Sequence, residues 1–143
     1  MKTTSDLLKV LKSKKSITEY LDENVDSLIN EPVSKQLENL LLSKGLKKSD
    51  VIKASNLDRT YAYQIFSGVK KPSRNKLLSV CFGLSLTFNE TQELLNRSGY
   101  APLYPKSKRD SIIIFAINNK FSVIETDILL AENNENTLSA ADW

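Results

Sequence analysis

The chain has 143 residues with a formal net charge of +3, and 41% of the residues are hydrophobic and 26% charged. This balance is typical of a globular protein of about one domain that can bury a sizeable core. The absence of histidine and the single cysteine exclude imidazole chemistry, an internal disulfide and a cysteine-rich zinc site.

Residues 1–31 are predicted to form a helical extension. Apolar residues recur at helical spacing between Leu7 and Leu11, and the capping box from Ser16 to Glu19 opens a second helix that reaches Leu28. Pro32 marks the boundary that follows.

Residues 32–99 are predicted to contain five helices. Their expected ranges are Ser34–Lys44, Lys48–Ser55, Arg59–Ser67, Arg74–Phe82, and a last helix from Thr87 to near Gly99. Gly45 and Gly68 are natural C-terminal stops, and Asp58 is a natural N-cap. The last of these helices opens with a capping box that ends at Glu90.

Residues 100–143 are predicted to form a connector, a helical hairpin and a tail. The hairpin comprises Lys108–Asn118 and a helix from the capping box at Ser122 to Asn133, and we expect residues after Asn134 to fray. The apolar run Ile112–Ile117 could also form a buried strand, but no partner strand accompanies it, so we predict an all-α chain.

Two features of this last part stay open. The apolar stripes Ile112–Ile117 and Ile124–Leu130 are expected to be core or dimer surface. Trp143 is either part of a disordered tail or a docking handle.

No targeting or membrane segment is expected. The first residues lack the uninterrupted apolar run of a secretory signal, and the run Ile112–Ile117 is too short to span a bilayer. A lone cysteine agrees with a reducing compartment. We therefore expect a cytoplasmic protein that does not bind membranes.

Positive charge is concentrated in the middle of the chain. Residues 32–110 contain fourteen basic and six acidic residues, a net charge of +8, whereas residues 1–31 and 111–143 carry −1 and −4. This asymmetry is typical of a segment that binds a polyanion, and the alternative is a lysine-rich solvated surface.

The basic region contains two short helices joined by a tight turn at Asn56-Leu57, which is the helix-turn-helix plan. We expect Ala62 and Ile65 to face inward while the opposite side of the second helix reads DNA bases. The predicted base-reading residues are Arg59, Thr60, Tyr63 and Gln64. The predicted phosphate contacts are Lys48, Ser49, Lys70, Lys71, Arg74 and Lys76.

Each assignment has a structural alternative. Arg59 could be a solvated helix-cap residue, and Tyr61 and Tyr63 could both pack against neighbours. Lys70, Lys71 and Arg74 could belong to an ordinary solvated loop.

Residues 37–86 resemble the phage repressor/Cro-type helix-turn-helix family, the XRE regulators. The resemblance rests on Gly45-Leu46, on Asn56-Leu57-Asp58 and, most specifically, on the run Gly68-Val-Lys-Lys-Pro-Ser73. It implies a five-helix repressor-like DNA-binding domain, here with additional N- and C-terminal helices. Proteins of this type usually act as dimers on inverted repeats.

The sequence departs from the family pattern at several positions. Ile52 stands where the family has a small alanine, Asn56 where it has glycine, and Phe66 where it commonly has glutamate. Lys48 replaces a glutamine, which favours a phosphate contact over base reading at that position. The run from Tyr61 to Gly68, together with the region around the connector, resembles an uncharacterised subgroup with extra flanking helices.

The leading functional hypothesis is a sequence-specific, double-stranded-DNA-binding transcriptional regulator, acting as a repressor and homodimer. The alternative is a protein-interaction adaptor or antitoxin-like partner whose acidic flanking helices bind another protein. We do not expect an enzyme, because no phosphate-binding loop is present and acidic pairs such as Asp22-Glu23 lack catalytic partners. No cofactor or metal is expected, and Cys81 is predicted to be a core residue.

Overall fold

The computed structural model describes residues 31–140, which form seven α-helices and no strand. The helices are α1 (Val33–Lys44), α2 (Lys48–Ala54), α3 (Arg59–Ser67), α4 (Arg74–Gly83), α5 (Phe88–Arg97), α6 (Lys108–Asn118) and α7 (Val123–Glu132). The prediction of an all-α chain is confirmed for these residues, and the run Ile112–Ile117 is helical. The helices predicted between Leu7 and Leu28 and the residue Trp143 lie outside the described part.

Local signals in the sequence determine where the helices begin and end. The Asp58 carboxylate accepts the Tyr61 backbone N–H at 3.0 Å, and capping boxes open α5 at Thr87 and α7 at Ser122. Gly45 and Gly68 end α1 and α3 in the left-handed conformation, where an L side chain is strained. The observed ends agree with the predicted ones to within one or two residues.

The core is one cluster shared by all seven helices. α1 packs on α3, α2 packs on α3 and α4, and α6 pairs with α7. α4 also contacts α5 and α7, and α5 contacts α6. The largest fully buried side chains include Leu37, Ile65, Leu77, Leu78, Leu95, Ile113 and Leu130. Residues 31–140 lie within one compact unit, and the predicted division of the chain at residues 31 and 99 stays a prediction.

α2 and α4 meet at a point with no room for a side chain. A Cβ atom added at Gly83 would lie 2.6 Å from the Val51 carbonyl oxygen and closer still to Ser55 Oγ. The buried Ser55 hydroxyl donates a hydrogen bond of 2.7 Å to that same carbonyl. Glycine at this position therefore sets the spacing between the two helices.

The prediction of a frayed tail after Asn134 is wrong for residues 135–140. The Asp127 carboxylate accepts the Leu138 backbone N–H at 2.7 Å and the Ser139 hydroxyl at 2.6 Å. The Leu138 side chain is fully buried, and Arg109 donates to the Asn136 carbonyl. The Asp127 carboxylate and the buried Leu138 side chain therefore hold residues 135–140 in position, although this segment is not helical.

The described helices include none that is both long and apolar enough to cross a membrane.

Candidate nucleic-acid interface

The surface of interest is formed by α2, α3 and the turn between them. Val51 and Ile52 are buried in α2, and Asn56 turns the chain with a φ of 55°. Asparagine tolerates this left-handed conformation better than most side chains, so it can form the tight turn here. Leu57 then packs on the core, and α3 begins after the Asp58 cap.

α3 has one buried face and one exposed face. Ala62, Ile65 and Phe66 are at most 2% exposed and fix the helix to the core. On the other face, Arg59 and Thr60 are exposed. The helix therefore presents polar side chains outward from a rigid base.

The four predicted base-reading residues lie together on this outer face. An open depression is lined by Lys48, Arg59, Thr60, Tyr63, Gln64 and Ser67. The prediction omitted Ser67, although its position seven residues after Thr60 and three after Gln64 places it on the same helical face. The structure thus brings together residues from the start of α2 and the length of α3.

Two aromatic rings orient the cations of the depression. The Arg59 guanidinium lies 5.7 Å from the centre of the Tyr63 ring, and the Lys48 ammonium lies 5.7 Å from that of Phe66. Lys48 also pairs with the Glu38 carboxylate of α1. Tyr63 is half-buried and packs against the core, so it serves both as a packing residue and as a platform for Arg59.

Thr60 and Gln64 have unused hydrogen-bonding groups. Neither side chain forms a hydrogen bond within residues 31–140, and Gln64 is half-buried beside the exposed Thr60. Their hydroxyl and amide groups are free to bind a ligand that lies across the outer face of α3.

A basic loop continues from the end of α3. Lys70 and Lys71 are exposed, and the Lys70 backbone N–H donates to the Gln64 carbonyl at 3.1 Å, which holds the loop against the helix. The Lys71 ammonium lies 5.5 Å from the Tyr100 ring centre, and the Tyr100 hydroxyl donates to the Pro72 carbonyl. Burial, with a smaller contribution from Tyr61, raises the pKa of Tyr100.

The remaining predicted phosphate contacts differ in their surroundings. Ser49 lies half-buried in the first turn of α2, and Lys76 lies half-buried in α4.

Arg74 points into the fold instead. Its guanidinium donates to both Asp110 carboxylate oxygens, at 3.2 and 3.0 Å, and to the carbonyls of Ala101 and Pro102. Four of the five guanidinium N–H groups are thus used within the fold, contrary to the prediction that Arg74 contacts a phosphate.

Cys81 is buried in α4, as predicted, and takes no part in this surface. Burial raises the pKa of its thiol to about 12, so it carries almost no thiolate at neutral pH.

Comparison of the chain with protein-family models, with curated proteins and with solved structures finds no match.

Proposed function

We propose that the protein is a sequence-specific regulator of transcription that binds double-stranded DNA and acts as a repressor. In this proposal α1–α5 form a five-helix repressor-like domain and α3 enters the major groove. One observation carries the proposal: Arg59, Thr60, Tyr63 and Gln64 line one open depression on a helix whose opposite face is buried.

The chemistry of this face suits the edges of base pairs. Arginine donates two parallel hydrogen bonds to guanine, and glutamine pairs in the same way with adenine. The Thr60 and Gln64 groups are unbonded within the described chain, so contact with bases would break no internal hydrogen bond. A helix of this kind, held by a buried face, presents its side chains in a fixed register.

Phosphate contacts would come from both sides of α3. Lys48 and Ser49 begin α2, Lys70 and Lys71 follow α3, and Lys76 lies in α4. Such contacts fix the position of a protein on the duplex and make affinity fall with salt. The exposed basic loop is also the part of the chain that most resembles the XRE regulators.

The test is a selection of bound duplexes from random DNA, followed by titration of the selected sequence at several salt concentrations. Arg59→Ala/Gln64→Ala is expected to raise the Kd for the selected sequence by about a hundredfold, since each base contact contributes about 1–3 kcal/mol. Weak, salt-sensitive binding to unrelated DNA should remain, because the lysines are unchanged.

Lys106→Ala/Asn96→Ala is the matched control, because it also removes one cation and one amide but from exposed positions outside the depression. It should leave the preference for the selected sequence intact. Equal affinity of the wild type for all duplexes, or unchanged specificity in the Arg59→Ala/Gln64→Ala variant, would contradict the proposal. Such results would favour the adaptor hypothesis instead.

A further inference from the structure

A cavity lies where the loop between α6 and α7 meets α4 and α5. Its volume is about 400 Å³, and its lining comes from the end of α4, the loop that leads to α5, the end of α6 and the loop that follows. Protein interiors are normally packed so closely that gaps larger than a water molecule are few. A space of this volume falls instead within the range of about 300–1,000 Å³ that is typical of ligand sites.

Most of the lining is apolar and aromatic. Leu86 and Ile117 are at most 8% exposed and lie at the inner side of the cavity. Three half-buried phenylalanines also line it, namely Phe82, Phe88 and Phe121. Water finds few hydrogen-bonding partners on such a surface, whereas an aromatic compound would leave water and pack against the three rings.

The exposed part of the lining is polar. Lys120 is the one charged residue among the described residues that line the cavity, and its ammonium forms no ion pair within residues 31–140. The side chains of Ser85 and Asn118 also line the cavity, are exposed, and form no hydrogen bond within the same residues. The cavity thus combines an apolar interior with one free cation and two free hydrogen-bonding groups.

The carboxylates that lie nearby in the sequence are already bonded. Glu90 pairs with Lys44 of α1, and Glu125 accepts the backbone N–H of the cap of its own helix. Asp127 accepts its hydrogen bonds from residues 138 and 139. None of these carboxylates lines the cavity, so the charge presented to a ligand is that of Lys120.

We propose that this cavity binds a small organic acid that has one or two aromatic rings and a single carboxylate. The rings of the ligand pack among the phenylalanines, and its carboxylate pairs with the Lys120 ammonium. Ser85 and Asn118 provide hydrogen bonds at the rim. A phosphate monoester would bring close to a second negative charge, for which the lining has no cation.

This inference goes beyond the proposed function and does not depend on it. The cavity shares no lining residue with the depression on α3. Its test contains no DNA, so a failure of ligand binding and a failure of DNA recognition are separate results.

Isothermal titration calorimetry of the full chain with 2-naphthoate gives the first measurement. We expect a Kd of about 100 μM or tighter, and weaker binding of benzoate, which buries less apolar surface. The uncharged 2-naphthamide has the same rings and should bind about fivefold to tenfold more weakly, because it cannot pair with Lys120. The doubly charged 2-naphthyl phosphate should bind no more tightly than 2-naphthoate.

Lys120→Asn then tests the role of the ammonium. Asparagine adopts the left-handed conformation of residue 120, where φ is 57°, more readily than lysine does, so the variant should fold as the wild type does. In this variant, 2-naphthoate and 2-naphthamide should bind equally. Lys106→Asn is the matched control, since Lys106 is exposed and lies outside the cavity, and it should retain the preference for the acid.

Methyl NMR spectra locate the bound ligand without any substitution. The aromatic rings of 2-naphthoate should shift the methyl signals of Leu86 and Ile117, whereas those of Ile65, which lies in α3 and outside the cavity lining, should stay in place. These shifts, together with loss of the preference in Lys120→Asn, would support the proposal.

Three results would overturn the proposal. They are the absence of binding by both benzoate and 2-naphthoate, shifts that leave Leu86 and Ile117 unaffected, and a preference for the acid that persists in Lys120→Asn. Tighter binding of 2-naphthyl phosphate would overturn the assignment of the ligand as a monocarboxylate.

Discussion

Lys48 lies where three parts of the proposed DNA surface meet. Its ammonium faces the Phe66 ring of α3 and pairs with Glu38 of α1, and its side chain lines the depression formed by α3. Both partners of the ion pair are more than a third exposed, so the pair itself contributes little to stability. Under the proposed function, Glu38 would compete with a DNA phosphate for the same ammonium.

We therefore predict that Glu38→Gln tightens DNA binding. The substitution frees Lys48 and removes a negative charge near the phosphates, and the Kd should fall by about threefold to tenfold at low salt. The measurement is a salt series of DNA titrations with wild type and variant.

A double-mutant cycle isolates the cause of this effect. In a Lys48→Gln background, Glu38→Gln should retain only the small gain from the lost negative charge. An unchanged Kd in the single variant would show that Glu38 does not compete for Lys48, and it would leave the role of Arg59 and Gln64 untouched.

Some residues of the candidate nucleic-acid interface could be predicted from the sequence and others could not. Thr60 and Gln64 are four residues apart, one helical turn, and Arg59 directly follows a clear N-cap, so the polar outer face of α3 was predictable. The inward orientation of Arg74 was not, because its partner Asp110 lies 36 residues further along the chain. Local patterns carry no information on such distant pairs.

At the scale of elements, the position of α2 depends on α4. Gly83 of α4 lies directly against α2, facing both the Val51 carbonyl and the Ser55 hydroxyl. A backbone carbonyl cannot move aside as the end of a flexible side chain can. Any side chain at residue 83 must therefore push the two helices apart.

Gly83→Ala is predicted to lower the free energy of unfolding by about 3 kcal/mol, as expected for overpacking of a close contact. Urea unfolding followed by circular dichroism measures the change. Gly99→Ala is the comparison: its added Cβ would meet nothing within 4 Å, but its φ of 83° is strained for alanine. That variant should lose only about 1 kcal/mol, from backbone strain alone. Equal losses in the two variants would contradict steric crowding at Gly83.

Most element boundaries could be predicted because their signals are local. A capping side chain three residues from its backbone partner, as at Thr87 and Ser122, is readable without knowledge of the fold. The position of residues 135–140 could not be predicted, because the Leu138 backbone is held by Asp127, which lies eleven residues earlier in α7. The close approach at Gly83 likewise depends on a contact between separate helices.

At the scale of the whole molecule, Asp110 joins the C-terminal helices to α4. Asp110 is 7% exposed, and its carboxylate accepts from the Arg74 guanidinium and from the Tyr104 backbone N–H at 2.9 Å. Nearby, the Gln92 side-chain amide both donates to and accepts from the Leu103 backbone. These polar contacts hold the connector between α5 and α6 in one conformation.

Asp110→Asn is therefore predicted to lower the free energy of unfolding by about 3 kcal/mol, because it leaves the half-buried guanidinium of Arg74 without its counter-charge. Lys108→Gln, where the exposed Lys108 ammonium pairs with the half-buried Glu135, should cost less than about 1 kcal/mol. Urea unfolding of both variants gives the comparison. An Asp110→Asn variant as stable as Lys108→Gln would mean that the Arg74–Asp110 pair does not hold the connector.

The free hydroxyl and amide on the outer side of α3 have a consequence for divergence between related genes. Since Thr60 and Gln64 form no hydrogen bond within residues 31–140, exchanging them should alter little of the free energy of unfolding. Under the proposed function, duplicated copies of this gene could acquire new target sites by changing two or three codons, while Ser55 and Gly83 stay constrained by their close contact.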